Sequence, residues 1–291
     1  MLRKLWLLCL TARALSIRII CCDIDGTLLN SAHTVSRRTA STVLRAAELC
    51  TFAACTGRGR AGALDALGSV GSSLRESRSP GVFLNGLIVY GRDGVQLRNL
   101  ALDPDVVRNA AAFAAEHGVS LVGCCDERSL CETRDQWTQW LADASDPDPE
   151  PSGAWPEIAS TQRINKLLLM ADPEIVRRIR PLLSERLGDS ATLTVSVASM
   201  LEVLPPGASK GQGVALLLEH LGIAPEDAMA IGDAENDLGM LRLVGTSVAM
   251  GNAPPEVRRA ALHGTASNDD DGAALAIERH FLEPQGVRME Y

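Results

Sequence analysis

Ile17-Arg18-Ile19-Ile20-Cys21-Cys22 runs without a break into Asp23-Ile24-Asp25-Gly26-Thr27, and this junction decides the fold. The first six residues are mostly apolar and β-branched, the pattern of a strand buried on both faces. The carboxylates begin where that strand ends, which is where open α/β sheets hold their ligands. Side chains alternate along an extended chain, so Asp23 and Asp25 point one way and Ile24 the other. Two converging carboxylates repel unless they share a cation or a proton. A hard divalent ion meets the first need, and Mg²⁺ is the usual one beside phosphates. A partly protonated second carboxyl meets the other and serves as a general acid. Gly26-Thr27 adds backbone N–H groups in a tight turn, suited to an anion. Taken alone, the pentad is also compatible with an acid-rich capping turn.

Outward from this junction, strands and helices alternate. Ser36 to Cys50 has apolar residues at helical spacing, with Thr34 or Ser36 as cap; Thr51 to Cys55 reads as a strand, and a helix starts from Gly57. This predicts an α/β fold with a doubly wound parallel sheet. Between Gly91 and Pro206 the texture changes. Strand-like pieces at Val95–Leu97, Val119–Cys124, Ile164–Met170 and Ala191–Val197 alternate with helices at Asp105–His117 and Pro173–Leu187. The proline- and acid-rich stretch Asp143 to Pro156 reads as a surface loop. Beyond Pro205-Pro206-Gly207 the first texture resumes, with helices at Lys210–Leu221, Glu235–Val244 and Gly272–Phe281 and strands at Ala228–Ile231 and Ser247–Met250. The expected organisation is a Rossmann-like core of residues 17–91 and 207–291 carrying an inserted α+β domain, 92–206, after an extension, 1–16.

Two further strand ends and one helix start carry chemistry. Thr56-Gly57-Arg58 closes the second strand with a hydroxyl, a free N–H and a helix N-terminus, an anion site or an ordinary cap. Lys210 opens a helix, where its charge opposes the dipole; an anion there explains it, as does plain solvation. Gly232-Asp233-Ala234-Glu235-Asn236-Asp237 follows the strand Ala228–Ile231. It places Asp233 at a strand end and Asn236 and Asp237 on the first helical turn. Each has a bland reading as capping. Their recurrence on one sheet edge favours a single reaction.

Composition narrows the partners. Acidic residues outnumber basic ones 36 to 28, for a net charge of −8, which disfavours nucleic acid and anionic membranes. The eight cysteines lack the spacing of a disulfide framework or metal knot and read as buried, reduced thiols. The five histidines form no cluster and read as surface or core filler. Residues 1–16 hold Arg3, Lys4 and Arg13 and no acid, and the apolar run Leu5–Leu10 is too short to span a membrane. They read as an extension on a cytoplasmic protein, or as a transit peptide to a chloroplast or mitochondrion, with a secretory leader least favoured.

Together the motifs resemble the haloacid dehalogenase superfamily of aspartate-nucleophile phosphohydrolases, and within it the Cof-like branch, subclass IIB. Asp23-Ile24-Asp25-Gly26-Thr27-Leu28, Thr56-Gly57-Arg58, Lys210, and Gly232-Asp233 with Asn236-Asp237 match its four motifs. Asn85-Gly86, Met250-Gly251-Asn252-Ala253 and Ser267-Asn268-Asp269-Asp270-Asp271-Gly272 are further echoes, and the match covers roughly Ile17 to Phe281. The resemblance implies a C2B-type cap and a Mg²⁺-dependent phosphatase of small phosphorylated metabolites, a monomer or homodimer. Asp23 is then the nucleophile and Asp25 the acid–base. Mg²⁺ is held by Asp23, the Asp25 carbonyl and Asp233. Gly26, Thr27, Thr56, Gly57 and Lys210 bind the phosphoryl group, with Arg58, Asn85, Asn236 and Asp237 in support. Substrate contacts are expected from Arg58, Asn85, Glu127, Arg134, Trp155 or Arg163. A phosphomutase of the same superfamily is the alternative, and a non-catalytic regulatory protein on this fold the remote one. No GxGxxG follows the first strand, which argues against a dinucleotide binder.

Overall fold

The computed structural model describes residues 17–143, 147–289 and 291; the extension 1–16 lies outside the described residues. The first half of the chain forms β1 (Ile19–Cys22), α1 (Arg37–Leu49), β2 (Thr51–Cys55), α2 (Arg60–Ala66), α3 (Ser69–Glu76), β3 (Gly81–Phe83), β4 (Ile88–Tyr90) and β5 (Gln96–Asn99). Next come α4 (Pro104–His117), β6 (Ser120–Cys125), β7 (Arg128–Cys131), α5 (Gln136–Asp143), β8 (Glu150–Pro151), α6 (Trp155–Thr161), β9 (Lys166–Met170), α7 (Pro173–Leu187), β10 (Thr192–Val197) and β11 (Met200–Leu204). The last part holds α8 (Lys210–Leu221), β12 (Ala228–Gly232), α9 (Leu238–Leu243), β13 (Thr246–Ala249), α10 (Pro255–Ala260), β14 (His263–Gly264) and α11 (Gly272–Ile277).

Eight strands form one sheet in the order β14-β13-β12-β1-β2-β3-β4-β5, parallel from β14 to β3 and antiparallel at β4 and β5. β1 explains why helices cover both faces. Ile20 and Cys22 join Val43, Ala46 and Ile277 on one side, while Ile19 and Cys21 join Val214, Leu217 and Met240 on the other. Each large side chain so buried contributes roughly 1.5–3 kcal/mol. Ser36 Oγ caps α1 by accepting the N–H of Thr39 at 3.0 Å. From β1 the chain first builds outward to β2 and β3, then returns to place β12 on the opposite side of β1. That reversal opens a crevice at the carboxyl ends of β1, β2 and β12, and Asp23, Thr56 and Asp233 follow those ends.

The second sheet has the order β10-β11-β9-β6-β7-β8. Its faces separate by strict alternation. Leu121, Leu167, Leu169, Leu201 and Val203 pack under α4 and α7, whereas Val122, Cys124, Leu168, Met170 and Met200 turn toward the first sheet's core. On this second face Lys166 and Glu202, 3% and 0% exposed, form an ion pair with Nζ 2.6 Å from Oε2.

Several expectations need correction. β5 pairs with β4, so residues 92–99 do not leave the first sheet, and the second sheet's elements run from α4 to β11. The helix expected from Gly57 is broken into α2 and α3 at Gly68, which adopts φ 56°. Asp143–Pro156 is not loop throughout: β8 pairs with β7, and α6 begins at Trp155. Glu235–Asp237 is a 3₁₀ turn ahead of the short α9, and α11 ends at Ile277 in a π turn.

A desolvated pair predicts asymmetric mutational costs. Glu202→Ala, which strands the Lys166 ammonium, should cost about 3–5 kcal/mol in urea unfolding. Replacing both residues, Lys166→Met with Glu202→Leu, should restore most of that. A single-variant cost below about 1 kcal/mol would show the pair to be solvated.

Candidate active site

Asp23 is 4% exposed at the end of β1. Lys210 Nζ lies 2.5 Å from Asp23 Oδ1 and 2.7 Å from Asp237 Oδ1. Lys210 is the first residue of α8, whose Ser209 cap accepts the N–H of Gln212 at 3.2 Å. The helix dipole disfavours a cation there, and two carboxylates more than offset it. An ammonium has three donors, so one remains after these two bonds. Asp237 is fully buried, and its Oδ2 accepts the N–H groups of Asp233 and Ala234, both at 2.9 Å.

Asp233 accepts from Thr27 Oγ1 at 2.9 Å and from Asn252 Nδ2 at 3.3 Å. Thr27, expected to offer its N–H to the phosphate, here gives that N–H to the Ile24 carbonyl at 3.3 Å and its hydroxyl to Asp233. Gly26 has φ 73°, and a Cβ there would fall 2.4 Å from Asp233 Oδ2. The turn must be glycine for both reasons.

Burial raises the Asp23 carboxyl well above its usual range; the charge of Asp237 adds to this and Lys210 opposes it. Asp233 is pushed up to about 7, chiefly by burial and then by Asp237. For Lys210, burial acts downward, but Asp23 and Asp237 outweigh it and hold the ammonium well above its usual range. Carboxylate oxygens of Asp23, Asp233 and Asp237 lie within 4.8 Å of one another. Because Asp237 is committed to Lys210 and two N–H groups, Asp23 and Asp233 are the pair that would face an ion. Asn236 Oδ1, buried and without a hydrogen-bond partner among the described residues, suits a water of such an ion's shell. An all-oxygen set fits a hard divalent cation.

The second carboxylate has a different surrounding. Asp25 is about one-third exposed and receives Arg58 Nε at 2.8 Å and Nη2 at 2.7 Å, a bidentate pair. Thr56 Oγ1 accepts the Arg58 N–H at 3.1 Å, which leaves its hydroxyl proton for another acceptor.

The two sheets close over this cluster. Asp23, Asp25, Gly57 and Arg58 form the floor of a cavity of about 340 Å³, and Lys166, Leu168, Met200 and Glu202 belong to its roof. Lys166 Nζ also donates to the Gly57 carbonyl at 2.8 Å. Glu202 Oε2 accepts Asn85 Nδ2 at 2.7 Å, and Asn85 Oδ1 accepts Asn236 Nδ2 at 2.9 Å. Two more bridges flank the cavity. Glu127 accepts the Ala61 N–H at 2.8 Å, capping α2 where Gly59 has no side chain to do so. Arg180 grips Glu235 through two bonds of 2.7 and 2.6 Å.

The structure thus gathers Asp23, Asp25, Gly26, Gly57, Arg58, Asp233 and Asn236 around the cavity, with Thr27, Thr56, Asn85, Lys210 and Asp237 bonded behind them. Four expected substrate contacts are elsewhere. Glu127 caps a helix, Arg134 pairs with Asp148, Trp155 is core under the second sheet, and Arg163 binds Asn99. His33, read as filler, lines the mouth. Lys166 and Glu202 were missed; the available signal was a single charge within each of two apolar strands, Lys166–Met170 and Met200–Leu204.

Fold and site define a Rossmann-like α/β enzyme with a lysine-supported, oxygen-rich centre at the switch point of its sheet. Residues 20–277 match the model of haloacid dehalogenase-like hydrolases, and the chain belongs to that family. It is similar to the chloroplastic endoribonuclease YBEY of Arabidopsis thaliana, 38% identical over 275 residues, which are 90% of this chain but only 46% of that protein. It is 33% identical over 250 residues to the HMP-PP phosphatase of Enterobacter sp. strain 638, covering 82% of this chain and 86% of the other. Among solved structures, a haloacid dehalogenase-like hydrolase from Bacteroides thetaiotaomicron superposes with a TM-score of 0.80 at 28% identity, over 91% of this chain and 100% of that one. The family expected from the motifs is the family found. Among the described residues no helix is long and apolar enough to cross a membrane.

The raised carboxyls set a pH-dependent stability. Asp233 titrates near 7 when folded and ordinarily near 4. Stability from its neutral form is full below about pH 4 and is lost as pH rises through 7. In EDTA the melting temperature should therefore fall between pH 5 and 7.5. MgCl₂ at a hundredfold excess over its Kd should restore about 2.7 kcal/mol at the upper end. A Mg²⁺ effect of equal size at both pH values would remove the carboxylates from the ion's site.

Proposed function

We propose that this chain hydrolyses phosphate monoesters of small metabolites in a Mg²⁺-dependent reaction through an aspartyl-phosphate on Asp23. The observation that carries this reading is the buried Asp23–Lys210–Asp237 cluster, whose Asp23 shares the floor of one cavity with the Asp25–Arg58 pair. An Asp23 oxygen attacks phosphorus in line as the ester P–O bond breaks, and Asp25 gives its proton to the departing alkoxide. Asp25 then takes a proton from water, whose oxygen bonds phosphorus and releases Asp23 with inorganic phosphate. Arg58 aims the Asp25 carboxyl before substrate binds. A phosphoryl oxygen drawing on Arg58 would loosen that pairing. The remaining donor of Lys210 and the N–H of Gly57 hold phosphoryl oxygens, work that is mostly electrostatic and positional. When bound by Asp23, Asp233 and the Asp25 carbonyl, Mg²⁺ supplies charge neutralisation between nucleophile and phosphate.

In this reading the elements from α4 to β11 are the cap that keeps bulk water away during transfer. The phosphatase named among the relatives supports hydrolysis over phosphoryl return by a mutase. The retention of Asp23, Asp25, Lys210 and Asp233 supports an enzyme over a regulatory binder. The ribonuclease name belongs to a protein of which this chain matches 46%, and a net charge of −8 does not suit RNA. Of the two locations expected, an organelle is the one the chloroplastic relative supports.

Asp23→Asn should lower kcat by about 10⁴-fold or more, as loss of a nucleophile does, with an unchanged circular dichroism spectrum. The check is phosphate release from single esters without a bisphosphate primer. Full activity in this variant would end the aspartyl-phosphate mechanism.

A further inference from the structure

The roof of the cavity separates candidate leaving groups. Trp140 and Leu141 reach it from α5, Leu168 and Met200 from the inner face of the second sheet, with Cys124 and Val197 beside them. Leu141, Leu168, Met200 and Cys124 are buried in one apolar cluster. The charged groups of the roof are already engaged. Lys166 and Glu202 hold each other, Gly57 and Asn85, and Ser196 Oγ donates to Glu202 Oε1 at 2.5 Å. Arg128 is paired with Glu150 through two bonds of 3.2 and 2.6 Å, and Asp126 accepts Asn99 Nδ2 at 2.9 Å. Ser129 offers one hydroxyl on this wall.

A sugar phosphate brings several hydroxyls, each hydrogen-bonded in water, and each needs a new partner when enclosed. This roof meets them mainly with carbon, sulfur and already bonded charges. A flat ring asks for the opposite: an indole to stack on, a thioether near its edge, aliphatic carbon around it, and few polar contacts. Resting on the phosphatase reading above, we infer that the alcohol half of the substrate carries an aromatic or heteroaromatic ring and is not a polyhydroxylated sugar.

The test compares kcat/KM for phosphate release, with Mg²⁺, from benzyl phosphate and pyridoxal 5′-phosphate against glucose 6-phosphate and glycerol 3-phosphate. All four release a primary alcohol, so leaving-group reactivity is nearly matched. The ring esters should lead by about 10–100-fold, the range that apolar pockets achieve against added hydroxyls. Trp140→Ala should reduce that lead by about tenfold, mainly through a higher KM for the ring esters. Preferred hydrolysis of the sugar ester overturns the ring assignment while leaving the phosphatase intact, and an undiminished lead in Trp140→Ala overturns the role of the roof. No release from any ester, 4-nitrophenyl phosphate included, would instead overturn the phosphatase reading on which the inference rests.

Discussion

Two buried carboxyl groups, a half-buried third and one ammonium meet at the ends of β1 and β12, and the arrangement of the rest follows from the cost of putting them there. An isolated charge in a protein interior is expensive, and like charges a few ångströms apart are worse. Asp237 is tolerable because three donors satisfy it, Lys210 because two carboxylates do. Asp23 and Asp233 are the residue of the problem. In the absence of an ion, burial drives both toward the protonated form. A fold built only for stability has no use for this cluster. Its cost is explained by a ligand that needs concentrated oxygen donors and a fixed cation.

The second sheet is tied to that centre by polar groups as well as by apolar packing. Its inner face is largely apolar, with Ser129 and Ser196 among its polar groups, and its buried ion pair of Lys166 and Glu202 reaches past its own sheet to the Gly57 carbonyl and the Asn85 amide. Gly57 and Arg58 share a peptide unit, and the Arg58 N–H holds the Thr56 hydroxyl while its guanidinium holds Asp25. Roof and catalytic loop are thus one hydrogen-bonded network. A pair this buried contributes little net stability compared with an apolar substitute. Its value is positional: it ties the seating of the roof to the posture of the loop beneath it.

How much of this was legible in the sequence depended on whether a feature was local. The Asp23 junction announced itself because strand, turn and carboxylates are contiguous, and Lys210 stood out because a lysine opening a helix lacks a local reason. Sheet membership was harder. Val95–Leu97 has the texture of any short strand, and only the antiparallel return from β4 assigns that region to the first sheet. Glu127, Arg134 and Arg163 looked like substrate contacts because they are charged and lie in the inserted segment. Their partners, the Ala61 N–H, Asp148 and Asn99, are set by tertiary placement that spacing does not encode. Lys166 and Glu202 were overlooked for the opposite reason. Strand periodicity draws attention to the apolar residues around a charge, whereas the charge is the anomaly.

The charge balance of the site supports the divalent ion proposed for it. Asp23, Asp25, Asp126, Asp233, Asp237 and Glu202 face or back the cavity, against Arg58, Arg128, Lys166 and Lys210. Six carboxylates against four cations leave a deficit of two, the charge of one divalent metal. Without it, the deficit is met by protons, as the upward shifts of Asp23 and Asp233 indicate. With it, the floor becomes neutral, and a phosphoryl group can approach a protein whose overall charge of −8 would otherwise repel it. A divalent ion that answered the repulsion among these carboxylates would therefore also answer the repulsion between enzyme and substrate.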